Sequence, residues 1–462
     1  MKVAVFGTGK YYSIYKKWFI NVEITAFLDN DKSKQGKFLD GVPIFSPDEV
    51  LALEVDRIYI MSHYINEMSL QLKALGISDE KIYYTYDLAE LGFQPEVEMP
   101  TGIHHEICRA RILLISDDLK LNGAQYALFY TVQILKRAGY EIVAASPVHG
   151  EMEENFAKSK VPVIIDERIM TGKLDELSWA YGFQLIFINT VTYYNLLLKR
   201  DRSIPVVWWL HEPECFVKNC LIEGLRKIHN ENLHIIASGG VARKALLKYN
   251  EDFSIDVLRV GVPETGYTAE KKLGDKFVIS VIGPISYLKG QDIVVEAVSL
   301  LTGKERSDLE VRFVGRTDPG YDASFADTME KNGIIKKTGE LTQDKVHMEY
   351  ERCDVLICSS REEVWPMVVI EAMQHKVMSI VSDIAGIKDY LTNEQNALIF
   401  PSENAELLAE KIRWCLNNRD SVKKMGERAY EIYKRFFSME VFEENLLSVI
   451  QDLLHTEGEK GR

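Results

Sequence analysis

Short apolar runs that end in glycine or polar residues recur along the chain. In the first block, which extends to about residue 97, they predict strands over Lys2–Phe6, Val22–Leu28 and Arg57–Met61 and a helix over Asn66–Leu75. Runs that are apolar throughout are typical of parallel strands covered on both faces. The block is therefore predicted to be a small Rossmann-like α/β unit, with Gly7 and Gly9 in its first strand-to-helix turn.

Two further blocks alternate strands and helices in the same way. The second has predicted strands over Arg111–Ser116, Glu141–Ala145, Gln184–Asn189, Pro205–Leu210 and His234–Ser238, and a helix over Ala124–Ala138. The third has predicted strands over Phe277–Ile282, Glu310–Val314, Asp354–Cys358 and Met378–Ser382, and helices over Gln291–Leu301, Met367–His375 and after Gly386. This alternation predicts parallel sheets with helices on their faces, so we expect an α/β chain with two doubly wound halves in series.

Breaks in the pattern predict the domain boundaries. They give a small domain over 1–97, a linker over 98–108, domains over 109–265 and 266–440, and a final helical segment over 441–462. In the stretch Phe436–Leu454, Phe442, Leu446 and Ile450 recur at helical spacing, which indicates packing rather than binding. The linker contains His104-His105-Glu106; a metal site is one interpretation of this triplet and a solvated linker is the favoured one.

Composition narrows the class of protein. The chain has 462 residues, 46% of them hydrophobic and 27% charged, which is ordinary for several globular domains. A formal net charge of −14 argues against nonspecific nucleic-acid binding. The six cysteines form no CxxC pair, the chain starts with a strand rather than a signal peptide, and its apolar runs are too short to span a bilayer. We therefore expect a cytoplasmic protein with reduced thiols.

The Gly7-Thr8-Gly9 turn has two interpretations. Glycines let the backbone approach a phosphate, and Asp29 follows the second strand, where a ribose-binding acid would be. The third glycine position is occupied by Tyr12, so a scaffold that binds no nucleotide is the alternative. Asp29-Asn30-Asp31 is interpreted as a turn after a strand rather than a metal-binding DxD motif.

The segment 361–373 carries the most specific pattern, with Glu363 and Glu371 separated by seven residues. Pro366 is predicted to be the first helical residue, because its fixed φ suits a helix start. The first-turn N–H groups of Met367, Val368 and Val369 would then have no intrahelical partner, which favours an anion such as a pyrophosphate. Glu363 before the helix and Glu371 within it would reach hydroxyl groups on either side, although two glutamates at this spacing also occur by chance.

Together with three other motifs, this segment resembles the retaining glycosyltransferases of the GT-B fold, family GT4. The other motifs are Lys289-Gly290-Gln291-Asp292, Asn122-Gly123-Ala124-Gln125 and Ser382–Ile387, and the resemblance covers roughly residues 109–455. It implies two facing Rossmann-like domains, an acceptor-side domain over 109–265 and a donor domain over 266–440, with 441–462 crossing back to the acceptor side. It also implies transfer from a nucleotide-diphosphate sugar without a metal or other cofactor.

The resemblance assigns roles by position. Glu363 would hold the donor sugar, Lys289 would neutralise the departing diphosphate, and His211 would approach the reacting sugar, although a structural histidine at a strand end is the alternative. Glu371 would bind the ribose and Gly123 would line the cleft near the phosphates. The remaining expected donor-binding residues are Met367, Val368, Glu340, Leu341 and Arg316.

One position departs from the family. The family often has an arginine directly after the glycine that is Gly283 here, and this chain has Pro284. Arg316, Arg243 or Arg361 is expected to supply the missing cation, unless Lys289 and the helix terminus suffice.

The expected function is sugar transfer to a saccharide, glycolipid or glycoprotein acceptor in cell-surface glycan assembly. A phosphorylase or epimerase is the enzymatic alternative, and a catalytically inactive subunit that binds a partner glycosyltransferase is the other. The partners are then a nucleotide-sugar donor, a lipid- or protein-linked acceptor and a homo- or hetero-oligomeric partner, but no nucleic acid. In the acceptor loops, Tyr193–Arg202 is interpreted as a solvated helix face, with contact to the cytoplasmic face of a membrane as the alternative.

Overall fold

The computed structural model describes residues 1–100, 109–265, 276–322, 324–331, 333 and 335–460. The chain divides into two compact units. Unit 1 takes in the described residues of 1–237, 242–256 and 450–462, and unit 2 takes in those of 238–241 and 257–449. The His104-His105-Glu106 triplet lies outside the described residues.

The first sheet of unit 1 has six strands in the order β3-β4-β2-β1-β5-β6. Only the β3–β4 pair is antiparallel among its recorded pairs. The strands are β1 Lys2–Phe6, β2 Glu23–Leu28, β3 Phe38–Leu39, β4 Val42–Phe45, β5 Arg57–Ile60 and β6 Ile82–Tyr84. The helices are α1 Lys10–Tyr15, α2 Ile65–Ala74 and the 3₁₀ helices Lys16–Trp18, Pro47–Ala52, Asp79–Lys81 and Thr85–Leu91. The three predicted strands and the helix are confirmed, while β3, β4 and β6 were not predicted.

The second sheet of unit 1 has seven strands in the order β13-β12-β11-β10-β7-β8-β9. The strands are β7 Arg111–Ile115, β8 Glu141–Ser146, β9 Val163–Ile165, β10 Leu185–Ile188, β11 Val206–Leu210, β12 Leu233–Ala237 and β13 Ile255–Val257. The helices are α3 Gly123–Arg137, α4 Met152–Lys158, α5 Arg168–Thr171, α6 Asn195–Leu198, α7 Glu214–Val217, α8 Ile222–Arg226, α9 Gly240–Leu247 and the 3₁₀ helices Leu174–Glu176 and Ser178–Ala180. The five strands predicted for this block are confirmed.

The sheet of unit 2 has six parallel strands in the order β16-β15-β14-β17-β18-β19. The strands are β14 Phe277–Ile282, β15 Leu309–Val314, β16 Ile335–Gly339, β17 Val355–Cys358, β18 Met378–Ser382 and β19 Ala397–Phe400. The helices are α10 Gln291–Ser299, α11 Gly303–Ser307, α12 Ser324–Lys331, α13 Gln343–Arg352, α14 Met367–Gln374, α15 Ala405–Asn417, α16 Arg419–Phe436 and the 3₁₀ helix Gly386–Tyr390. Helix α17, Met439–Lys460, belongs to unit 2 up to residue 449 and to unit 1 from residue 450.

The strand orders define a reversal point in each sheet. In unit 2 the chain moves outward from β14 through β15 and β16, then returns to β17 on the other side of β14. The loops after β14 and β17 therefore leave the same edge in opposite directions and open a crevice, where ligands of open α/β sheets bind. The buried strand residues Ile279, Val311 and Val355 belong to the core that holds this edge in place.

Four predictions about local structure are wrong. Pro366 is the N-cap of α14 rather than its first residue, with ψ 89°. The segment after Gly386 is a 3₁₀ helix of five residues rather than an α-helix. The helical stretch starting at Phe436 is interrupted, because α16 ends there and α17 begins at Met439.

The fourth concerns the segment Tyr193–Arg202, which is mostly buried rather than a solvated helix face, with Lys199, Asp201 and Arg202 exposed at its end. Tyr193, Tyr194, Leu196 and Leu197 are buried. Arg200 is also buried, and its guanidinium donates to the carbonyl of His229 at 3.3 Å and to that of Glu231. Elsewhere in the described part of the chain, no helix combines the length and apolar character needed to cross a membrane.

Candidate active site

The two residues assigned to catalysis in unit 2 lie at the reversal point of its sheet. Lys289 is in the loop that follows β14, and Glu363 is in the loop that follows β17. Because β14 and β17 are neighbours, the two loops meet although 74 residues separate the side chains along the chain. The strand order thus explains why the sequence places these two groups in one crevice.

Lys289 and Glu363 form an ion pair. The Lys289 ammonium donates to the Glu363 carboxylate, which also accepts from the Ser360 hydroxyl at 3.3 Å. Desolvation opposes the charge on Lys289, but the Glu363 carboxylate offsets this effect and the pKa of Lys289 is raised. The crevice therefore holds a charged lysine next to a carboxylate.

Close backbone contact fixes the loop that carries Lys289. Gly290 has φ +66°, and a Cβ at this position would lie 2.3 Å from the carbonyl oxygen of Ser359. The Ser359 hydroxyl donates to the Lys289 carbonyl at 2.9 Å. Glycine is thus required at 290 both by its left-handed backbone and by the adjacent β17 loop.

Helix α14 starts directly after the Glu363 loop. The amide of Val369 donates to the Pro366 carbonyl at 2.9 Å, so it is not available to a ligand as the sequence suggested. Met367 and Val368 are the first two residues of the helix, where N–H groups have no intrahelical acceptor. These two half-buried residues retain the predicted anion-binding geometry.

Glu371 lies one turn into α14 and contacts a residue that sequence reasoning missed. Its carboxylate is 2.7 Å from the hydroxyl of Tyr350, a fully buried residue of α13. Burial raises the pKa of Glu371 to about 7, although the Tyr350 hydrogen bond acts in the opposite direction. No spacing in the sequence connects these two residues, since they come from different helices.

Among the arginines that could replace the family arginine absent at Pro284, Arg361 already forms ion pairs with other side chains. Its guanidinium donates to both carboxylate oxygens of Asp292, at 2.9 and 2.6 Å, and to Glu403 at 2.7 Å. Arg316 is exposed, and its carbonyl accepts from the amide of Ile285, the residue after Pro284, at 2.8 Å. Arg316 therefore emerges beside the position where the family arginine is absent.

The remaining expected donor-binding residues of unit 2 follow β16. Glu340 is exposed and Leu341 is half-buried, and both precede α13. Arg243 is an exposed residue of α9 and belongs to unit 1. The structure thus groups Lys289, Glu363, Arg316 and the start of α14 at one sheet edge.

In unit 1, His211 follows β11 and Gly123 is the first residue of α3. The Asn189 amide nitrogen donates to the Ala124 carbonyl at 3.0 Å, so its oxygen accepts from His211 Nε2 at 2.9 Å. Burial lowers the pKa of His211 to about 3, which keeps the imidazole neutral. A neutral ring held by Asn189 is compatible with both a substrate contact and the structural alternative.

Two half-buried carboxylates beside His211 were not predicted. Glu212 accepts from the amide of His211 at 2.9 Å and from that of Val191 at 3.0 Å. Burial, with a smaller effect of Glu212, raises the pKa of Asp117 to about 7, and Asp117 accepts from Gln125 at 2.8 Å. Strand-end acids of this kind look like ordinary loop residues in the sequence, because burial gives no local signal.

In the glycine turn after β1, the groups expected to bind a nucleotide are already in contact with other protein groups. Gly7 has φ +107°, and a Cβ there would lie 2.6 Å from the Met61 carbonyl oxygen. The Asp29 carboxylate accepts from the Thr8 amide at 3.1 Å and from Lys34 at 3.0 Å. These contacts favour the scaffold interpretation, since the expected ribose-binding acid already has protein partners.

The arrangement in unit 2 suits a substrate that has a negatively charged group between two hydroxyl-bearing parts. Lys289 and the start of α14 provide positive potential, while Glu363 and Glu371 provide hydrogen-bond acceptors. Preorganised donors at such a position are typically worth ~3–4 kcal/mol each in a transition state that develops negative charge. Among the described residues, no group of three or more His, Cys, Asp or Glu side chains is arranged to hold a metal ion.

Comparison with known proteins defines the class. The fold resembles that of Anabaena HepE crystallised with UDP and glucose, with a TM-score of 0.63, 16% identity, and coverage of 74% of this chain and 100% of that one. Residues 268–432 match the family of glycosyl transferases group 1, and residues 1–83 match the C2185-like N-terminal family. The chain thus has the GT-B fold preceded by a small α/β domain. Its residues 268–432 are similar to the glycosyl transferases of group 1.

Two curated relatives agree with this assignment. The uncharacterized glycosyltransferase MJ1178 of Methanocaldococcus jannaschii is 26% identical over 244 residues, which are 52% of this chain and 66% of that protein. The O-antigen chain mannosyltransferase RfbU of Salmonella typhimurium is 22% identical over 295 residues, 58% of this chain and 80% of that protein. The chain therefore spans slightly less than two thirds of the length of MJ1178.

Proposed function

We propose that the protein is a retaining glycosyltransferase that moves a sugar from a nucleotide-diphosphate sugar to a saccharide-containing acceptor without a metal ion. The observation that carries this proposal is the Lys289–Glu363 pair at the reversal point of the unit 2 sheet. It supplies a cation and a sugar-hydroxyl acceptor in one crevice, at the edge where α/β sheets bind nucleotides.

The diphosphate would bind between Lys289, Arg316 and the first amides of α14. A lysine ammonium is a point charge suited to phosphate, and a helix start adds positive potential. As the bond between the sugar and the diphosphate breaks, negative charge grows on the diphosphate. These groups would stabilise that charge, which is why metal independence is part of the proposal.

The two glutamates would bind the ends of the donor. Glu363 would accept hydrogen bonds from the hydroxyl groups of the transferred sugar. Its pairing with Lys289 would hold the sugar next to the scissile bond. Glu371 would accept the ribose hydroxyls, with Tyr350 fixing its orientation at 2.7 Å. Retention of configuration is proposed from the resemblance of this glutamate segment to family GT4.

The acceptor belongs, in this proposal, to cell-surface glycan assembly. RfbU is named as an O-antigen chain mannosyltransferase, and other relatives carry capsular polysaccharide and teichuronic acid names. These names share a polysaccharide product, so a growing glycan is the acceptor class of this proposal. His211, kept neutral by burial and hydrogen-bonded to Asn189, would lie on the acceptor side.

The test is donor turnover by the full-length protein. We expect one member of a panel of UDP-, GDP- and dTDP-sugars to release its nucleoside diphosphate, with glycan extract as acceptor, equally with and without EDTA. Glu363→Gln should abolish release without unfolding the protein. Glu427→Gln is the matched control, because Glu427 is an exposed glutamate of α16.

The results that would contradict the proposal are specific. Loss of turnover in EDTA, with recovery on adding a divalent cation, would refute metal independence alone. Wild-type turnover by Glu363→Gln would refute the assigned role of that residue. Binding of a donor without turnover with any acceptor extract would favour the inactive-subunit alternative.

A further inference from the structure

Unit 1 contains a pocket at the junction of its two sheet domains. Its volume is about 380 Å³, within the roughly 300–1,000 Å³ of ligand sites. We call it the junction pocket. Its walls include Tyr11, Tyr15 and His63 from the first domain and Thr192, Tyr193 and Phe216 from the second.

The pocket lies at sheet edges where ligands bind. In the first sheet, β1 is placed between β2 and β5, so its reversal point lies between the loops that follow β1 and β5. Tyr11 follows β1 and His63 follows β5. In the second sheet, Thr192 follows β10, which pairs with β7 at that sheet's reversal point. The carboxyl ends of strands from both domains therefore face one cavity.

Contacts across the junction fix the walls. Lys17 pairs with Glu167 at 2.6 Å, and the Tyr15 hydroxyl lies 3.4 Å from the Met170 sulfur. A second ion pair joins Lys73 to Glu223 at 2.8 Å. The two domains are thus bound to each other beside the pocket, so the pocket is a feature of the folded unit rather than a gap between loosely tethered parts.

The lining combines aromatic faces with uncharged polar groups. The Tyr11 ring lies 6.0 Å from those of Tyr15 and His63. Hydroxyl and amide groups come from residues that include Ser62, Thr192 and Asn219, and no Lys, Arg, Asp or Glu lines this pocket among the described residues. Such a surface suits a neutral ligand with both apolar faces and hydrogen-bonding groups.

The surroundings argue against a nucleotide. The Thr8 amide, which would face a phosphate in a dinucleotide site, donates to the Asp29 carboxylate at 3.1 Å. The first turn of α2, beside the pocket, carries the acidic Glu67. The Tyr193 hydroxyl is already engaged, because it donates to the Asp117 carbonyl at 3.0 Å. With no Lys or Arg among the described lining residues, the pocket offers a phosphate no cation.

A sugar ring fits this chemistry, because it presents C–H groups on its faces and hydroxyl groups around its rim. We propose that the junction pocket binds a neutral glycosyl unit of the acceptor, so that the N-terminal domain contributes to acceptor recognition. The identification of the ligand as the acceptor rests on the proposed function, whereas the binding of a neutral saccharide does not.

The test titrates the full-length protein with methyl glycosides of glucose, mannose, galactose and N-acetylglucosamine and with their disaccharides, by saturation-transfer NMR and calorimetry. Phe216→Ala removes an exposed ring from the pocket rim, and Thr192→Trp fills the pocket from an exposed position. We expect each to weaken saccharide binding by about tenfold or more, as loss of a stacking surface does for a base. Phe38→Ala is the control, because Phe38 is an exposed ring of the same unit outside the lining.

Titration with UDP is run on the same proteins as a separate readout of unit 2. Saccharide binding that both pocket variants weaken, with UDP binding unchanged, would support the proposal even if donor turnover failed. No binding of any neutral saccharide by the wild type, or binding that both variants leave unchanged, would overturn it. UDP binding that Phe216→Ala abolishes would overturn it in favour of a nucleotide site.

Discussion

The ammonium of Lys289 donates a hydrogen bond to the carboxylate of Glu363 across the crevice between β14 and β17. The family resemblance assigned the two residues to different parts of the donor, one to the diphosphate and one to the sugar. Their contact means that a bound donor has to meet both charges at once. The pair also keeps each charge compensated while no donor is present, since either one alone would be poorly solvated at this sheet edge.

We expect Lys289→Ala to weaken UDP binding by about 10- to 100-fold, because a charge-assisted hydrogen bond is worth roughly 1.5–3 kcal/mol. Glu363→Gln should bind UDP at least as tightly as the wild type, since it releases the lysine from its partner. Calorimetry measures both, and Lys424→Ala on the exposed face of α16 is the control. Equal weakening by Lys289→Ala and Lys424→Ala would refute a direct phosphate contact.

Two variants distinguish Arg316 from Arg361 as the arginine that contacts the diphosphate. Arg316→Ala should lower UDP affinity and leave the melting temperature unchanged, because Arg316 is exposed beside the Pro284 loop. Arg361→Ala should lower the melting temperature, because it leaves Asp292 without its two guanidinium bonds, a loss of about 1–3 kcal/mol. The opposite pattern would identify Arg361 as the phosphate ligand.

Glu371 gives the melting temperature a pH dependence. Burial raises its folded-state pKa from 4.5 to about 7, so the folded protein binds this proton more tightly than the unfolded chain. This stabilisation is complete below the ordinary pKa and is lost as the pH rises through about 7. Between about pH 5 and about pH 8, the melting temperature should therefore fall less steeply with rising pH for Glu371→Gln than for the wild type. Glu427→Gln should keep the wild-type slope, and parallel slopes for all three proteins would contradict the assignment.

The Lys289 loop depends on glycine. Gly290→Ala should reduce the free energy of unfolding by at least about 1–3 kcal/mol, because φ +66° is strained for alanine and its Cβ would meet the Ser359 carbonyl. Gly303→Ala is the control, because no atom lies within 4 Å of a Cβ at that position. Chemical denaturation compares the two, and equal stability of both variants would show that the β17 loop yields to the added methyl group.

The sequence predicted those elements whose signal is local. Apolar runs located β1, β14 and β18 to the residue, because each is a continuous buried strand. The motifs placed Lys289 and Glu363 correctly in loops at strand ends. The contact of Tyr350 with Glu371 was not predictable, because it depends on how α13 packs against α14. The N-cap role of Pro366 was missed for a related reason, since helix boundaries are set by caps and dihedral angles that composition does not specify.

The junction pocket was likewise not predictable from the sequence, because it depends on tertiary packing. The glycine turn attracted attention to Gly7 and Asp29, which the structure uses internally. The residues that line the cavity, such as Tyr11 and Phe216, belong to different domains and form no motif. Only the docking of the first domain on the second brings them together.

The central claim is that the reversal point of the unit 2 sheet binds a nucleoside diphosphate. Calorimetric titration of the wild-type protein with UDP, GDP and dTDP, repeated on Lys289→Ala, tests it most directly. The account predicts that one nucleotide binds once per chain and that the lysine variant binds it at least about tenfold more weakly. Absence of binding for all three nucleotides, or equal affinity for the wild type and Lys289→Ala, would contradict it.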